Sequence, residues 1–269
     1  MNILDKIVAH KHIEIAEAKQ RISIADLEKS DFFEKKTNSL SHHISYIIHQ
    51  NKVGIIAEFK RKSPSKGIIN DVVKPEIITK GYADAGAVGL SVLTDTEFFG
   101  GSFDDFAAAR LANSTTPMLR KDFMVDEYQL FEAKAMGADV VLLIAACLTP
   151  NQVKSMGKKA HELGLEVLLE VHDEHELETS LCEYINLVGV NNRNLKTFVT
   201  TIETSVQLVE KIPNHLIKIS ESGLKDAQTI ATLRDIGYQG FLIGEAFMKT
   251  NDPAEELRML SSAVNGYKL

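Results

Sequence analysis

Eight short apolar runs recur along the chain, each followed by an amphipathic or polar stretch. They are Val53–Phe59, Ala87–Leu93, Pro117–Phe123, Val140–Ala146, Glu166–Val171, Ile185–Val190, Leu216–Ser220 and Phe241–Gly244. Runs this short and this rich in Val, Ile and Leu read as strands buried on both faces, and therefore parallel. Their starts lie about 20–35 residues apart, which leaves room for one crossover helix each. The segments between them fit helices. Residues 126–136 stop at Gly137, 150–163 at Gly164 and 226–236 at Gly237, the residue type that best ends a helix. Eight such units in succession predict an α/β chain folded as a (βα)8 barrel of the TIM type. A doubly wound sheet is the alternative; even spacing and the lack of an early G-x-G-x-x-G argue against it.

Residues 1–50 precede the first strand. Leu4, Ile7 and Val8 have helical spacing, as do Ile44, Ile47 and Ile48, and Ser23 to Asp26 resembles a capping box. Two or three helices packed on the barrel are expected. No Gly-, Ser- or Pro-rich linker sets them apart, so residues 1–269 read as one barrel domain with 1–50 as its helical N-terminal extension. A stabilising cap and a part in shaping the substrate site are equal readings of that extension. Ala254–Leu260 predicts a closing helix, and no fused second catalytic domain is expected.

Composition narrows the function classes. Lys and Arg total 30 against 37 Asp and Glu, a formal charge of −7, which disfavours general nucleic-acid or anionic-membrane binding. No apolar run approaches the roughly 18 residues of a spanning helix. The first residues are too charged for a secretory signal, so a cytoplasmic protein is expected, with Cys147 and Cys182 as reduced thiols. A monomer is expected, with a dimer as the alternative.

Alternate side chains of a barrel strand face the interior, which should be apolar except near the C-terminal mouth. Five strands break that rule in the same way. One parity carries Ile56, Glu58 and Lys60; the next set is Leu119, Lys121 and Phe123. Then come Leu168, Glu170 and His172; Gly189, Asn191 and Arg193; and Ile219, Glu221 and Gly223. Each turns polar or charged at its end. Buried charges are costly unless paired or used, and five such endings aimed at one mouth point to a site. Glu58, Glu170 and Glu221 facing Lys60 and Lys121 would shift one another's pKa values, the condition for acid–base work near neutral pH.

The last two strand ends carry glycines, in Ser220-Glu-Ser-Gly223 and Ile243-Gly-Glu-Ala246. In many barrels these loops offer backbone N–H groups to a phosphate. Ser222, Gly223, Gly244 and Glu245 are the expected phosphate site, with Lys60 beside them. Lys60, Lys121 and Arg193 would make the mouth locally positive despite the acidic total.

Glu58–Ser65 (EFKRKSPS) closely resembles the first-strand signature of indole-3-glycerol phosphate synthases, the (βα)8 enzymes of tryptophan biosynthesis. Further matches follow in family order: SVLTDTEFFGGS (91–102), LRKDF (119–123), LLEVH (168–172), GVNNRNL (189–195), SESG (220–223) and IGEAFM (243–248). The resemblance implies a small phosphorylated substrate, 1-(2-carboxyphenylamino)-1-deoxyribulose 5-phosphate, closed to indole-3-glycerol phosphate with loss of CO2 and water. It implies no metal and no organic cofactor. Lys121 matches the family's general acid, Glu170 its base, and Lys60 with Glu58 the other active-site pair. Asn191 and Glu221 match residues that orient the sugar hydroxyls and the lysines. Arg193 is the candidate fork for the substrate carboxylate. Ser63 lies in the first loop, expected as a lid. Phe99, Phe123, Leu142, Ile144 and Leu195 are candidates for an apolar slot around the aromatic ring.

Other readings carry less. His172-x-x-His175 could suggest a metal, but the strand ends around Asp173 and the two rings need not converge; no metal site is expected. His42-His43 reads as a solvated helix face, and Asp71–Pro75 as a loop. Phosphoribosylanthranilate isomerase, another phosphate-binding barrel, is the alternative enzyme. It typically uses a Cys–Asp pair at strand ends, and Cys147 has no evident partner. A non-enzymatic binder of a phosphorylated ligand would be stabilised by that ligand without turnover.

Overall fold

The computed structural model describes residues 3–195 and 197–266. Positions 1, 2 and 267–269, at the ends of the expected domain, and Lys196 lie outside it. Within the described residues eight parallel strands close on themselves in the order β1-β8-β7-β6-β5-β4-β3-β2. They are β1 (Gly54–Phe59), β2 (Gly89–Leu93), β3 (Met118–Lys121), β4 (Val140–Ile144), β5 (Glu166–Val171), β6 (Leu187–Asn191), β7 (Ile217–Glu221) and β8 (Gly240–Ile243). This is the (βα)8 barrel expected from the apolar runs, and it excludes the doubly wound sheet.

Several boundaries differ from the expected ones by one to three residues, for local reasons. The third run was expected to stay extended through Phe123, yet β3 ends at Lys121. Asp122 leaves the sheet there, and its carboxylate accepts from the Phe123 amide at 2.8 Å. The sixth run becomes a strand only at Leu187; just before it the Asn186 side chain accepts from the Val167 amide at 2.9 Å while the Asn186 amide donates to the Val167 carbonyl at 3.1 Å. The helix expected from Asp126 is α6 (Tyr128–Ala135); Asp126 takes the Tyr128 amide instead, at 2.9 Å. Helix α7 (Pro150–Glu162) begins as expected, behind a complete Thr149–Gln152 capping box. Gly137, Gly164 and Gly237 all stand in the left-handed region after their helices. The remaining crossover helices are α4 (Pro75–Asp84), α5 (Phe103–Ala112), α8 (Glu174–Ser180), α9 (Glu203–Leu208) and α10 (Ala227–Asp235). After β8 come α11 (Glu245–Met248) and the closing helix α12 (Pro253–Gly266), which packs on α4 and α10.

The N-terminal extension forms three helices, α1 (Ile3–Arg21), α2 (Ile24–Leu27) and α3 (Leu40–Ile48). They serve opposite ends of the barrel. Helix α3 plugs the N-terminal mouth. Leu40 and Ile44 are fully buried against the inward layer of Ile56, Leu119, Leu168, Leu187, Ile219 and Leu242. Glu166, the first residue of β5, holds its start: the carboxylate accepts from the Leu40 and Ser41 amides at 2.8 and 3.1 Å and from both flanking serine hydroxyls at 2.6 Å. A carboxylate there also meets the positive end of the helix. Ile44→Ala is expected to lower unfolding stability by about 2–4 kcal/mol, the range for opening a cavity in a packed core. The change should be read by urea denaturation, and turnover should be spared because the plug lies at the end away from the site.

Helix α1 runs to the other mouth. Ile15 packs on Val125 and Tyr128, Lys19 reaches Asp126 at 2.7 Å, and Ile3, Leu4 and Ile7 line the cavity there. The extension therefore shapes that cavity as well as capping the barrel.

Candidate active site

A cavity of about 440 Å³ opens at the C-terminal mouth. All the side chains expected to carry chemistry line it: Glu58, Lys60, Lys121, Glu170, Asn191 and Glu221. So do Ser63, Phe99, Phe123, Leu142, Ile144, Arg193 and Leu195, together with Ser222, Gly223, Gly244 and Glu245. Register explains the convergence. Glu170 lies beside Gly189 across β5 and β6, Asn191 beside Glu221 across β6 and β7, and Glu221 beside Leu242 across β7 and β8. In-register parallel neighbours put same-parity side chains into one layer.

That layer has room because two of its inward positions lack a side chain. A Cβ on Gly189 would fall inside the van der Waals envelope of Glu221 Oε1 and 3.2 Å from Leu168 Cδ1. A Cβ on Gly244 would sit 2.7 Å from Glu58 Oε1 and 2.8 Å from its Cβ. Each glycine makes space for one inward glutamate. Gly189→Ala is expected to displace Glu221 and lower kcat/KM by about 10²-fold, the cost of an ångström-scale misplacement. Circular dichroism should stay unchanged, and a rate within twofold of the parent chain would contradict this account.

Lys121 is the hub. Its Nζ lies 2.6 Å from Glu221 Oε2 and 3.0 Å from Glu170 Oε2. Asn191 Nδ2 donates to Glu170 Oε1 at 3.0 Å. Lys60 Nζ pairs separately with Glu58 Oε1 at 2.6 Å. Burial pulls the Lys121 pKa down, but Glu170, Glu221 and Glu58 outweigh it and hold the ammonium above the usual lysine range. Burial would raise Glu170, yet Lys121 and His172 keep it below the ordinary carboxylate range. Glu221 goes the other way: burial, with repulsion from Glu170 and Glu58, raises it in spite of Lys121. The cluster thus holds a persistent ammonium, a carboxylate that stays ionised and a second that accepts a proton more readily. Ser63 Oγ and Glu221 Oε1 are buried with no hydrogen-bond partner among the described residues.

On one side of this cluster Phe99 and Phe123 meet at 5.9 Å between ring centroids. On the other, Arg193 bridges Ser65 Oγ at 3.0 Å and Glu245 Oε2 at 3.4 Å. Lys249 also pairs with Glu245. Burial would raise the Glu245 carboxyl, but Lys249 and Arg193 bring it below its usual range.

A model of the indole-3-glycerol phosphate synthase family matches residues 4–260. The chain belongs to that family. It is 45% identical over 98% of its length to the indole-3-glycerol phosphate synthase of Bacteroides thetaiotaomicron, covering 99% of that protein. It is also 45% identical to the one from Bordetella pertussis, over 96% of this chain and 98% of that one. Among solved structures, 3-hexulose-6-phosphate synthase from Salmonella typhimurium superposes with a TM-score of 0.63 at 15% identity, over 78% of this chain and 98% of that chain. Tryptophan synthase subunit alpha from Legionella pneumophila gives 0.61 at 15% identity, over 85% and 97%. At that identity the structural likeness speaks for the barrel alone.

Some residues of this indole-3-glycerol phosphate synthase family member were not singled out from its sequence. His172, on the inward parity of its strand but given no role by the sequence, has Nε2 3.4 Å from Glu170 Oε1 and Nδ1 3.1 Å from Glu176 Oε2. Its shared parity with Glu170 is what brings it to that carboxylate. His175 lies exposed. Asn192 is buried behind the late loops, where its Nδ2 donates to Ser220 Oγ at 2.9 Å and to the Ser222 carbonyl at 3.1 Å. It braces Ser222, whose φ is 67°, a strained value for a residue with a side chain. Lys66, Lys225 and Lys249 join the cavity wall near Gly223 and Glu245. Loop lysines follow no strand parity, so nothing in the pattern marked them.

Proposed function

We propose that the chain is an indole-3-glycerol phosphate synthase, closing the pyrrole ring of 1-(2-carboxyphenylamino)-1-deoxyribulose 5-phosphate by general acid–base catalysis. The observation that carries this reading is the Lys121 ammonium held between Glu170 and Glu221, beside an aromatic wall. The ring carbon bearing the carboxylate attacks the C2 carbonyl, and Lys121 gives its proton to the oxygen that develops charge. Loss of CO2 leaves its electron pair in the ring and restores aromaticity. Departure of the C2 hydroxyl as water then needs a proton on that oxygen and removal of one from C1. Glu170 serves as the base, and Lys60, paired with Glu58, as the second acid. No oxidant or reductant is needed to balance these steps.

The rest of the wall fits this substrate. Phe99, Phe123, Leu142, Ile144 and Leu195 enclose the aromatic ring. Arg193, whose present partners stand 3.0–3.4 Å away, is free to re-pair with the substrate carboxylate. Asn191 and Glu221 orient the sugar hydroxyls and Lys121, and Ser63 offers its unpartnered hydroxyl from the first loop. Ser222, Gly223 and the backbone of Gly244 and Glu245 hold the phosphate with Lys60, in a wall enriched in lysine. A cytoplasmic location suits an enzyme of charged metabolites; no helix among the described residues is long and apolar enough to cross a membrane. Mixing the purified chain with the carboxyphenylamino substrate should produce the fluorescence of indole-3-glycerol phosphate. Ligand-induced thermal stabilisation without that signal would instead make the chain a binder of phosphorylated ligands.

A further inference from the structure

A second buried charge cluster lies between α1 and the ends of β2 and β3. Lys11 of α1 is 3% exposed. Its Nζ lies 3.1 Å from Asp95 Oδ2, 2.9 Å from Asp122 Oδ1 and 2.6 Å from Glu14 Oε2. Both aspartates are almost wholly out of solvent. Asp95 follows β2, and its Oδ1 accepts from the Phe98 and Phe99 amides at 2.8 and 3.1 Å. Asp122 follows Lys121 directly. Its Oδ1 accepts from the Phe123 amide at 2.8 Å, and its Oδ2 from Thr94 Oγ1 at 2.6 Å and Arg120 Nη2 at 3.2 Å. Each aspartate therefore holds the backbone of one of the two phenylalanines that wall the cavity.

Asp122 has Arg120 as a second cation, whereas among the described residues Asp95 Oδ2 has no hydrogen-bond partner and meets only the Lys11 ammonium. Two buried carboxylates so close repel each other and spread their loops unless a cation stands between them. Burial disfavours the charged form of Lys11, but Asp122 and Asp95 outweigh it and keep the amine protonated.

We propose that Lys11 is a positioning residue for substrate binding: the N-terminal helix inserts one ammonium that locks the Asp95 and Asp122 loops at the spacing that seats an aromatic ring between Phe99 and Phe123. Lys11 does not line the cavity and acts only through these aspartates. The inference rests on the reading of the two phenylalanines as the wall around the substrate's ring.

The test uses the full chain as Lys11→Met, Lys11→Arg and Ile15→Ala, the last truncating a buried α1 side chain that packs on Val125 and Tyr128. The probe is the substrate with its C2 carbonyl reduced to an alcohol, which keeps ring, carboxylate and phosphate but cannot close. Calorimetric titration should show Lys11→Met weakening its binding about tenfold, with KM raised alike and kcat within about threefold. Lys11→Arg should recover most of the loss. Ile15→Ala should lower Tm without moving KM. If Lys11→Met fails to fold, Lys11→Gln takes its place, a polar amide that can still touch both aspartates but brings no ammonium between them, and it carries the same expectation. Unchanged binding in the folded Lys11 variant, or an equal KM rise in Ile15→Ala, overturns the proposal. A parent chain that fails to bind the probe would overturn the ring-wall reading itself, and this inference with it.

Discussion

Lys121→Met should lower kcat by about 10³- to 10⁴-fold, at the upper end for loss of a positioned proton donor, while the barrel stays folded. Methionine keeps the length of the side chain and removes the charge, so the loss reads the ammonium and not the volume. The same substitution leaves Glu170 and Glu221 facing each other without their shared cation, and both carboxyl pKa values should rise. A carboxyl whose folded pKa exceeds its unfolded value of about 4.3 favours the fold below that value and loses the contribution as pH climbs through the folded pKa. The Tm deficit of Lys121→Met relative to the parent chain should therefore be small near pH 5 and grow toward pH 8. Product fluorescence reads the first effect, and melting curves at the two pH values the second. A variant within tenfold of parental kcat would remove Lys121 from the chemistry. A Tm deficit independent of pH would show that the two glutamates do not depend on it.

The barrel and its polar layer could be read from the chain for one shared reason. A parallel strand covered on both faces must be apolar, so charges at its end stand out against the run. Glu58, Lys121, Glu170 and Glu221 are legible in this way, and in-register pairing puts them in one cavity. Strand ends were less legible, because local side-chain bonds such as that of Asp122 act there and apolarity does not record them. The work of α1 was not legible either. Lys11 sits in a helix whose other charges are mostly solvated, and only the tertiary approach of Asp95 and Asp122 sets it apart. Asn192 was hidden by parity: it faces away from the cavity and acts through the Ser222 carbonyl. The glycines at 189 and 244 looked like ordinary strand residues until Glu221 and Glu58 were seen in the space that they leave open.

Glu170→Gln separates a base from an electrostatic anchor. Glutamine matches glutamate in shape, and its carbonyl oxygen can still accept from Asn191 Nδ2, now 3.0 Å from Glu170 Oε1. What disappears is one negative charge 3.0 Å from the Lys121 ammonium. As a base, Glu170 accounts for about 10²- to 10³-fold in kcat. As an anchor it does something separate: burial lowers the Lys121 pKa, and Glu170 is the largest of the influences that reverse this. Without it that pKa must fall. An acid works in its protonated form, so the alkaline limb of the pH–kcat profile should move to lower pH in Glu170→Gln. His172 also loses a carboxylate 3.4 Å away, and its pKa, raised in the parent by Glu176 and Glu170 against burial, should drop. A pH–rate profile of the variant, with the ring proton shift of His172 followed by NMR, reads both consequences. If the rate falls while the alkaline limb stays in place, Glu170 is a base alone and the ammonium owes its protonation to Glu221 and Glu58.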